Sequence, residues 1–406
     1  MNRYSDESYI DPLSDDWLPE LRKDIPYFLE LDINAIFVNH LGLQGKPDKA
    51  LKLLQDNGVH VLLLILKNSR RFRSANASDD TYEGLSIQEL YSTELVQDTF
   101  RIIDETADFD NVLGFSMDFS FLGAKGTSRL SPIHRAAVRD AKNFLALRRG
   151  RQVPVGASFS GDRMTQGPGL EFVAAGEPAE RIDFFSFDNF SWYGAHSSFQ
   201  ISGYEYQVQD FGNYPVPMFF SGYGTAFDEP RALREVECLF SPDMTRVFSG
   251  GFLEYYGCTP VLPTLSPRIE QDSQEEPKDT PAPKDDGLKE DDESSGGGSD
   301  DEYSNYSDDD FEAEEDNDDL DVGGYELMRV EEDGSRRPKM DFWTYKAKLE
   351  QVANRPEAEV FGNHEKKNYE GWCGEMPKQA GFWLADPTAV PRFPLNWNEV
   401  MRARTK

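Results

Sequence analysis

The sequence predicts an α/β fold, a parallel βα barrel in which seven strands are legible. Two observations carry this. Short apolar runs rich in Val, Ile, Leu and Phe alternate, as far as Tyr256, with stretches whose apolar residues recur at helical spacing. Several runs, VHVLLLIL above all, are apolar on both strand faces, as a parallel strand covered on both sides must be. Strands divided by helices require crossover connections and so build a parallel sheet.

Taken in order, Asp11 to Leu31 sets Leu18, Leu21, Ile25, Phe28 and Leu29 on one helix face, and Asn34 to Val38 follows as a strand. A helix from Asp48 to Leu54 ends before Gly58, and Val59 to Leu66 is the second strand. Arg70 to Arg73 (RRFR) is a basic loop at that strand's end, readable as a solvated surface or as a contact for an anion or a sugar. Glu89 to Ala107 reads as one long amphipathic helix and Asn111 to Phe121 as a strand. The helix His134 to Leu147 precedes the strands Val153 to Phe159 and Ile182 to Phe190. Val216 to Ala226 (VPMFFSGYGTA) is a buried strand ending in a Gly-punctuated turn, and the helix Leu233 to Phe240 and strand Gly250 to Tyr256 complete the alternation. Chemistry in such a barrel sits at the C-terminal strand ends, which puts Ser221, Gly222 and Tyr223 where a catalytic side chain would project. Gly222 projects nothing.

The net charge of −32 is concentrated: Glu270 to Asp321 holds 24 acidic residues against 3 lysines. Dense like charge and low hydrophobicity predict disorder over Leu265 to Val322. The chain is therefore divided into a barrel over 1–264, an acidic disordered insertion over 265–323, a return to the barrel over 324–355 and a C-terminal segment over 356–406 to which the sequence assigns no fold. The return segment, with YELMRV, a turn at Asp333-Gly334 and a helix near Asp341 to Val352, is expected to supply a last strand and helix.

An acidic chain lacks the basic patches that nucleic-acid binding needs, while its insertion suits a basic protein partner. Cys238, Cys258 and Cys373 fit neither a disulfide framework nor a CxxC zinc site, and neither a cofactor nor a metal is expected. No stretch approaches the ~20 apolar residues of a membrane span, and neither a leader nor a hydrophobic tail for lipid anchoring is legible, so the chain as given is expected in the cytoplasm unless its N-terminus is truncated.

The strings DPLSDD, KDIPYFLELDINAIFV, NVLGF, AAVRDAKNF, RQVPVGAS, IDFFSFDNFSWYG, SGYEYQVQDF, PVPMFFSGYG and MTRVFSGG, in this order, closely resemble the fungal 1,3-β-glucanosyltransferases of glycoside hydrolase family 72. The resemblance runs from about Asp11 to Gly257 and returns more weakly through Tyr325 to Val352. It implies a (β/α)8 TIM barrel whose first strand, with a pattern like GVDYQ, is missing from this chain. Members of this family are GPI-anchored at the cell surface and cleave and rejoin β-1,3-glucan, so the resemblance implies that glucan as the ligand. Their chemistry is retaining: a carboxylic acid protonates the departing oxygen and a carboxylate attacks the anomeric carbon.

Carried over residue by residue, the resemblance puts the acid/base at Ser120 and the nucleophile at Gly222, neither of which can act as a carboxyl group. Thr225 and Ala226 replace a cysteine and an asparagine, Phe37 and Asn39 an arginine and a tyrosine, and Phe190 a tyrosine. Trp17, Thr225 and Tyr193 stand at or near positions of family cysteines. The resemblance thus implies a degenerate, catalytically silent or nearly silent relative. A binding or interaction protein that keeps a glucan-recognition surface is one alternative, and an active enzyme with relocated carboxylates Asp118 and Glu254 is another. Asp118 shares a strand face with Ser120 by period-two alternation, Glu254 replaces a pocket tyrosine, and Asp188 can face the same pocket. Trp192, Tyr193, Tyr204, Tyr223 and Tyr256, on strand-end loops, are the candidate rings for stacking on sugar faces, with Trp192 and Tyr204 inside matched strings.

Overall fold

The computed structural model describes residues 11–39, 41, 45–66, 86–119, 126–159, 163–214, 216–224, 231–254, 256, 326–331, 333–361 and 383–404. These belong to one compact unit, 1–260 with 323–406. The segment 261–322 is a separate unit, so the disorder expected for the acidic insertion, like the RRFR loop, lies outside the described residues.

Seven strands form one parallel sheet in chain order: β1 (Ala35–Val38), β2 (His60–Ile65), β3 (Val112–Asp118), β4 (Val155–Phe159), β5 (Phe185–Asn189), β6 (Met218–Tyr223) and β7 (Phe248–Leu253). The sheet curls into a nearly closed barrel. Phe37 of β1 and Phe252 of β7 meet with ring centroids 5.5 Å apart, although among the described residues no ladder joins the two strands. Phe252 packs on Phe219 and Phe219 on Phe184, an aromatic floor that β3 and β4 admit by carrying Gly114 and Gly156. A Cβ on Gly156 would lie 2.3 Å from the Phe184 ring.

The helices outside the strands are α1 (Leu18–Glu30), α2 (Asp48–Asp56), α3 (Ile87–Leu90), α4 (Thr93–Thr106), α5 (Ser131–Arg148), α6 (Arg163–Ala174), α7 (Tyr204–Phe211), α8 (Glu235–Leu239) and α9 (Pro242–Thr245). The single helix expected over Glu89 to Ala107 is two. Ser86 and Glu89 close a capping box on α3, and Ser92 then accepts from the Leu95 N–H at 3.3 Å to start α4 afresh. The expected helix start at Asp11 is delayed to Leu18, because Asp11 and Ser14 side chains accept backbone N–H groups of Leu13 and Trp17 and hold turns instead.

The return segment does not add an eighth barrel strand. It makes a separate antiparallel hairpin, β8 (Met328–Val330) and β9 (Arg336–Pro338), followed by α10 (Met340–Ala353). Hairpin and helix lie over the seam between β1 and β7. Arg336 donates to Asp24 at 2.7 Å and pairs with Glu20 at 3.1 Å, while Tyr27 donates to the Arg336 carbonyl at 3.0 Å. On α10, Asp341 accepts the Arg231 backbone N–H and its Nε at 2.9 and 2.6 Å, and Lys346 pairs with Glu30.

Beyond α11 (Glu357–Phe361), residues 383–404 strap the far side, ending in α12 (Trp397–Arg404). Trp383 is buried against Phe172, and Trp397 stacks on Phe393 with both rings near Phe100 of α4. The C-terminal tryptophans therefore anchor the tail to the barrel's helices.

Candidate functional site

The site is set by an irregularity in β6. Phe220 pairs with Phe187 and Gly222 with Asp188, which leaves Ser221 as an extra residue in the ladder. Such a bulge changes the parity of a strand. Phe219 and Gly222 therefore both face the barrel interior, and Tyr223 turns outward. Ser221 Oγ donates to Asp188 Oδ1 at 2.7 Å, which orients that carboxylate from β5. On the other side, the Glu254 N–H donates to the Tyr223 carbonyl at 2.9 Å and carries the β6–β7 pairing one residue past the end of β7.

These two anchors bring two carboxylates to one point. A Cβ on Gly222 would lie 2.3 Å from Glu254 Oε2 and 3.2 Å from both Asp188 Oδ1 and Phe190 Cζ. The Glu254 carboxylate thus fills the space that a side chain at 222 would need. Ser221, Glu254, Phe37 and Asn39 line a cavity of ≈ 1220 Å³ that runs inside the barrel along the β1–β7 seam.

Asp118 ends β3 opposite Ser158 of β4, and its backbone bonds the buried His134 ring. Burial pushes that imidazole down to about 3, so it is neutral near pH 7. Ser120, Thr225 and Ala226 lie outside the described residues. Trp192 and Tyr204 are 6% and 0% exposed and pack on each other at 5.5 Å, so these rings are core and offer no open face to a sugar. Tyr223 is buried too, its hydroxyl 3.0 Å from that of Tyr345 on α10. Tyr256 sits edge-on to Phe28 at 4.7 Å. Tyr193, at 61% exposed, is the ring of this set left open to solvent.

Several buried acids escaped the sequence reading, Glu235 among them. Glu235 opens the short helix α8, and desolvation raises its carboxyl to about 7 despite the opposing charge of Arg231. Its signal, one Glu in EVECL, does not differ from that of a surface helix. Among the described residues, no group of three or more His, Cys, Asp and Glu side chains is placed to hold a metal ion, and no helix is long and apolar enough to cross a membrane.

A parallel barrel with side chains gathered at the C-terminal strand ends has the layout on which barrel proteins build their sites. The family model for the glucanosyltransferases of glycoside hydrolase family 72 matches residues 2–259, and the chain belongs to that family. It is 31% identical over 254 residues to 1,3-beta-glucanosyltransferase gas5 of Schizosaccharomyces pombe, an alignment covering 61% of this chain and 48% of that protein. It is 34% identical over 247 residues to 1,3-beta-glucanosyltransferase PGA4 of Candida albicans, covering 61% and 52%. The chain thus spans about half the length of these curated relatives. The solved structure of Saccharomyces cerevisiae Gas2p in complex with laminaripentaose superposes with a TM-score of 0.67 at 21% identity, covering 98% of this chain and 71% of that one, which establishes the barrel fold.

Proposed function

We propose that this chain binds β-1,3-glucan in the C-terminal mouth of its barrel, and that glucan transfer no longer runs through the two positions that carry it in the family. The observation that carries the reading is the bare Gly222, set among Asp188, Glu254 and Phe190. Carboxylates that accept hydroxyl protons, beside a flat ring, are the chemistry of a sugar subsite. Exposed Tyr193, four residues past the end of β5, adds a second ring. Family membership supplies the class of polysaccharide, and the 1,3-beta-glucanosyltransferase relatives supply the linkage. With no side chain at 222 and serine at 120, family-type transfer falls by at least about three orders of magnitude.

The test is calorimetric titration of the full chain with laminaripentaose, beside incubation with reducing-end-labelled laminarin oligosaccharides and product sizing. Saturable binding, weakened by Tyr193→Ala without loss of folding, is the expected outcome. No binding, or transfer as fast as that of a family member with both glutamates, refutes the proposal. The alternative pairing of Asp118 with Glu254 is less favoured, because the carboxylate set against Glu254 at Gly222 is Asp188.

A further inference from the structure

We infer that the gap between β1 and β7 is a docking slot for one extended polypeptide segment of a partner protein, apolar on both faces and bonding to the two strand edges. The pattern of residues lining the cavity carries this. The β6 side contributes Pro217, Phe219 and Ser221, every second residue, as a strand does that shows the cavity one face. The β1 side contributes all of residues 35–39, and the β7 side all of residues 251–254. Successive residues of a strand point to opposite sides of the sheet. A cavity that touches every one of them therefore runs along the strand edge and reaches both faces.

The burial of these strands agrees. All five residues of β4 are buried, whereas three of the four in β1 and the last three in β7 are half-buried. Ile36, Phe37, Phe252 and Leu253 are thus large apolar side chains left part-covered, in a sheet type that is covered on both faces. Among the described residues no ladder joins the edges of β1 and β7 that face each other. Peptide groups along such edges, beneath a helical cover, call for hydrogen-bonding partners.

The slot also defines its occupant. It follows residues 35–39, ~16 Å of extended chain at the rise of a strand. On the lumen side it meets Phe184 and Phe219, and on the helix side Phe28 of α1 with Leu349 and Val352 of α10, so both faces of the docked segment must be apolar. Asp32 and Asp183 lie where the strands begin and Glu254 where they finish, which favours basic residues on either side of the apolar core. At ≈ 1220 Å³ the cavity exceeds the ~300 to 1,000 Å³ usual for a small-molecule pocket. Strand addition draws affinity from main-chain bonds and specificity from the pockets for alternate side chains, and the slot offers both.

The test is fluorescence anisotropy of a fluorescein-labelled synthetic peptide, Val-Ile-Ala-Val-Ile flanked by lysines, titrated with the full chain, with amide hydrogen exchange to locate it. Saturable binding of one peptide per chain is expected, with exchange slowed in β1 and β7 and unchanged in β3 and β4. The same peptide N-methylated at alternate core residues keeps its charge and apolar surface but cannot donate to one edge. It should bind at least about 10-fold more weakly. Leu349→Trp, which crowds the helix side of the slot, should weaken the parent peptide by a similar factor. Equal binding of the two peptides would show that any basic apolar molecule is taken up, by the gap or by the acidic insertion, and overturns the inference. Protection outside β1 and β7, or no saturable binding, overturns it as well.

Discussion

Restoring a carboxylate at position 222 is expected to harm the protein unless Glu254 is removed with it. The new Cβ falls 2.3 Å from Glu254 Oε2, well inside contact, so the Glu254 side chain must swing aside. In Gly222→Ala that is all that happens, and because the displaced atom ends a flexible side chain the cost is about 1 kcal/mol. In Gly222→Glu the two carboxylates also stay within ~4 Å, where Coulomb repulsion at an effective dielectric of ~20 reaches ~4 kcal/mol before side-chain movement and proton uptake relieve it. A net loss of about 2 kcal/mol is expected. The assay is urea unfolding of the wild type, Gly222→Glu, Glu254→Ala and the double variant, in which the backbone effect of replacing glycine cancels. A coupling of about 1 to 3 kcal/mol, with the double variant more stable than Gly222→Glu, is the expected result. Additivity within about 0.5 kcal/mol would show that the Glu254 carboxylate does not occupy this space.

Three further outcomes follow from the packing. Gly156→Ala brings a Cβ within 2.5 Å of the Phe184 carbonyl oxygen, which cannot swing away, so denaturant unfolding should register a loss above about 3 kcal/mol or no folded product. Asp341→Ala removes a carboxylate bonded to the buried Arg231 guanidinium and should cost about 3 to 5 kcal/mol in the same assay, whereas Arg231→Met with Asp341→Leu recovers most of it. Glu235 holds its proton to about pH 7 when folded and to its ordinary 4.5 when unfolded, so its burial costs nothing below pH 4.5. Stability then declines as the pH rises towards 7 and levels off above, by about 3 kcal/mol in all. Glu235→Gln should remove that decline in unfolding curves recorded from pH 4 to 8, and an unchanged slope would refute it.

Strand order was legible because each parallel strand needs apolar residues on both faces, and all seven expected strands lie in the sheet where their runs fall. Helix boundaries were less so, since Ser92 restarts a helix that apolar periodicity carries straight through. The vacancy at Gly222 could be read directly, as could Glu254 and Asp188 as inward acids. How closely Glu254 fills the vacancy could not. It depends on the Ser221 bulge, which strict alternation along Met218–Tyr223 does not reveal and which turns Tyr223 away from the mouth. The burial of Trp192 and Tyr204 has a related reason. Trp192 and Tyr204 occupy strand-end segments that fold back onto the core, and sequence alone does not separate a ring over a mouth from a ring beneath it.

The seam cover of β8, β9 and α10 also sets a schedule for synthesis. Tyr27 and Glu30 find Arg336 and Lys346 only after the chain has run on by more than three hundred residues. At ~5 to 20 residues per second, the interval between completing β7 and emerging through α10 lasts roughly 5 to 20 s. Throughout it, the facing edges of β1 and β7 stand without their cover, in a barrel otherwise able to assemble. Unpaired parallel edges template association with other chains. The nascent protein is therefore most vulnerable to aggregation and most dependent on chaperones in that interval, and variants that loosen the Arg336 or Asp341 anchors prolong the exposure in the finished chain.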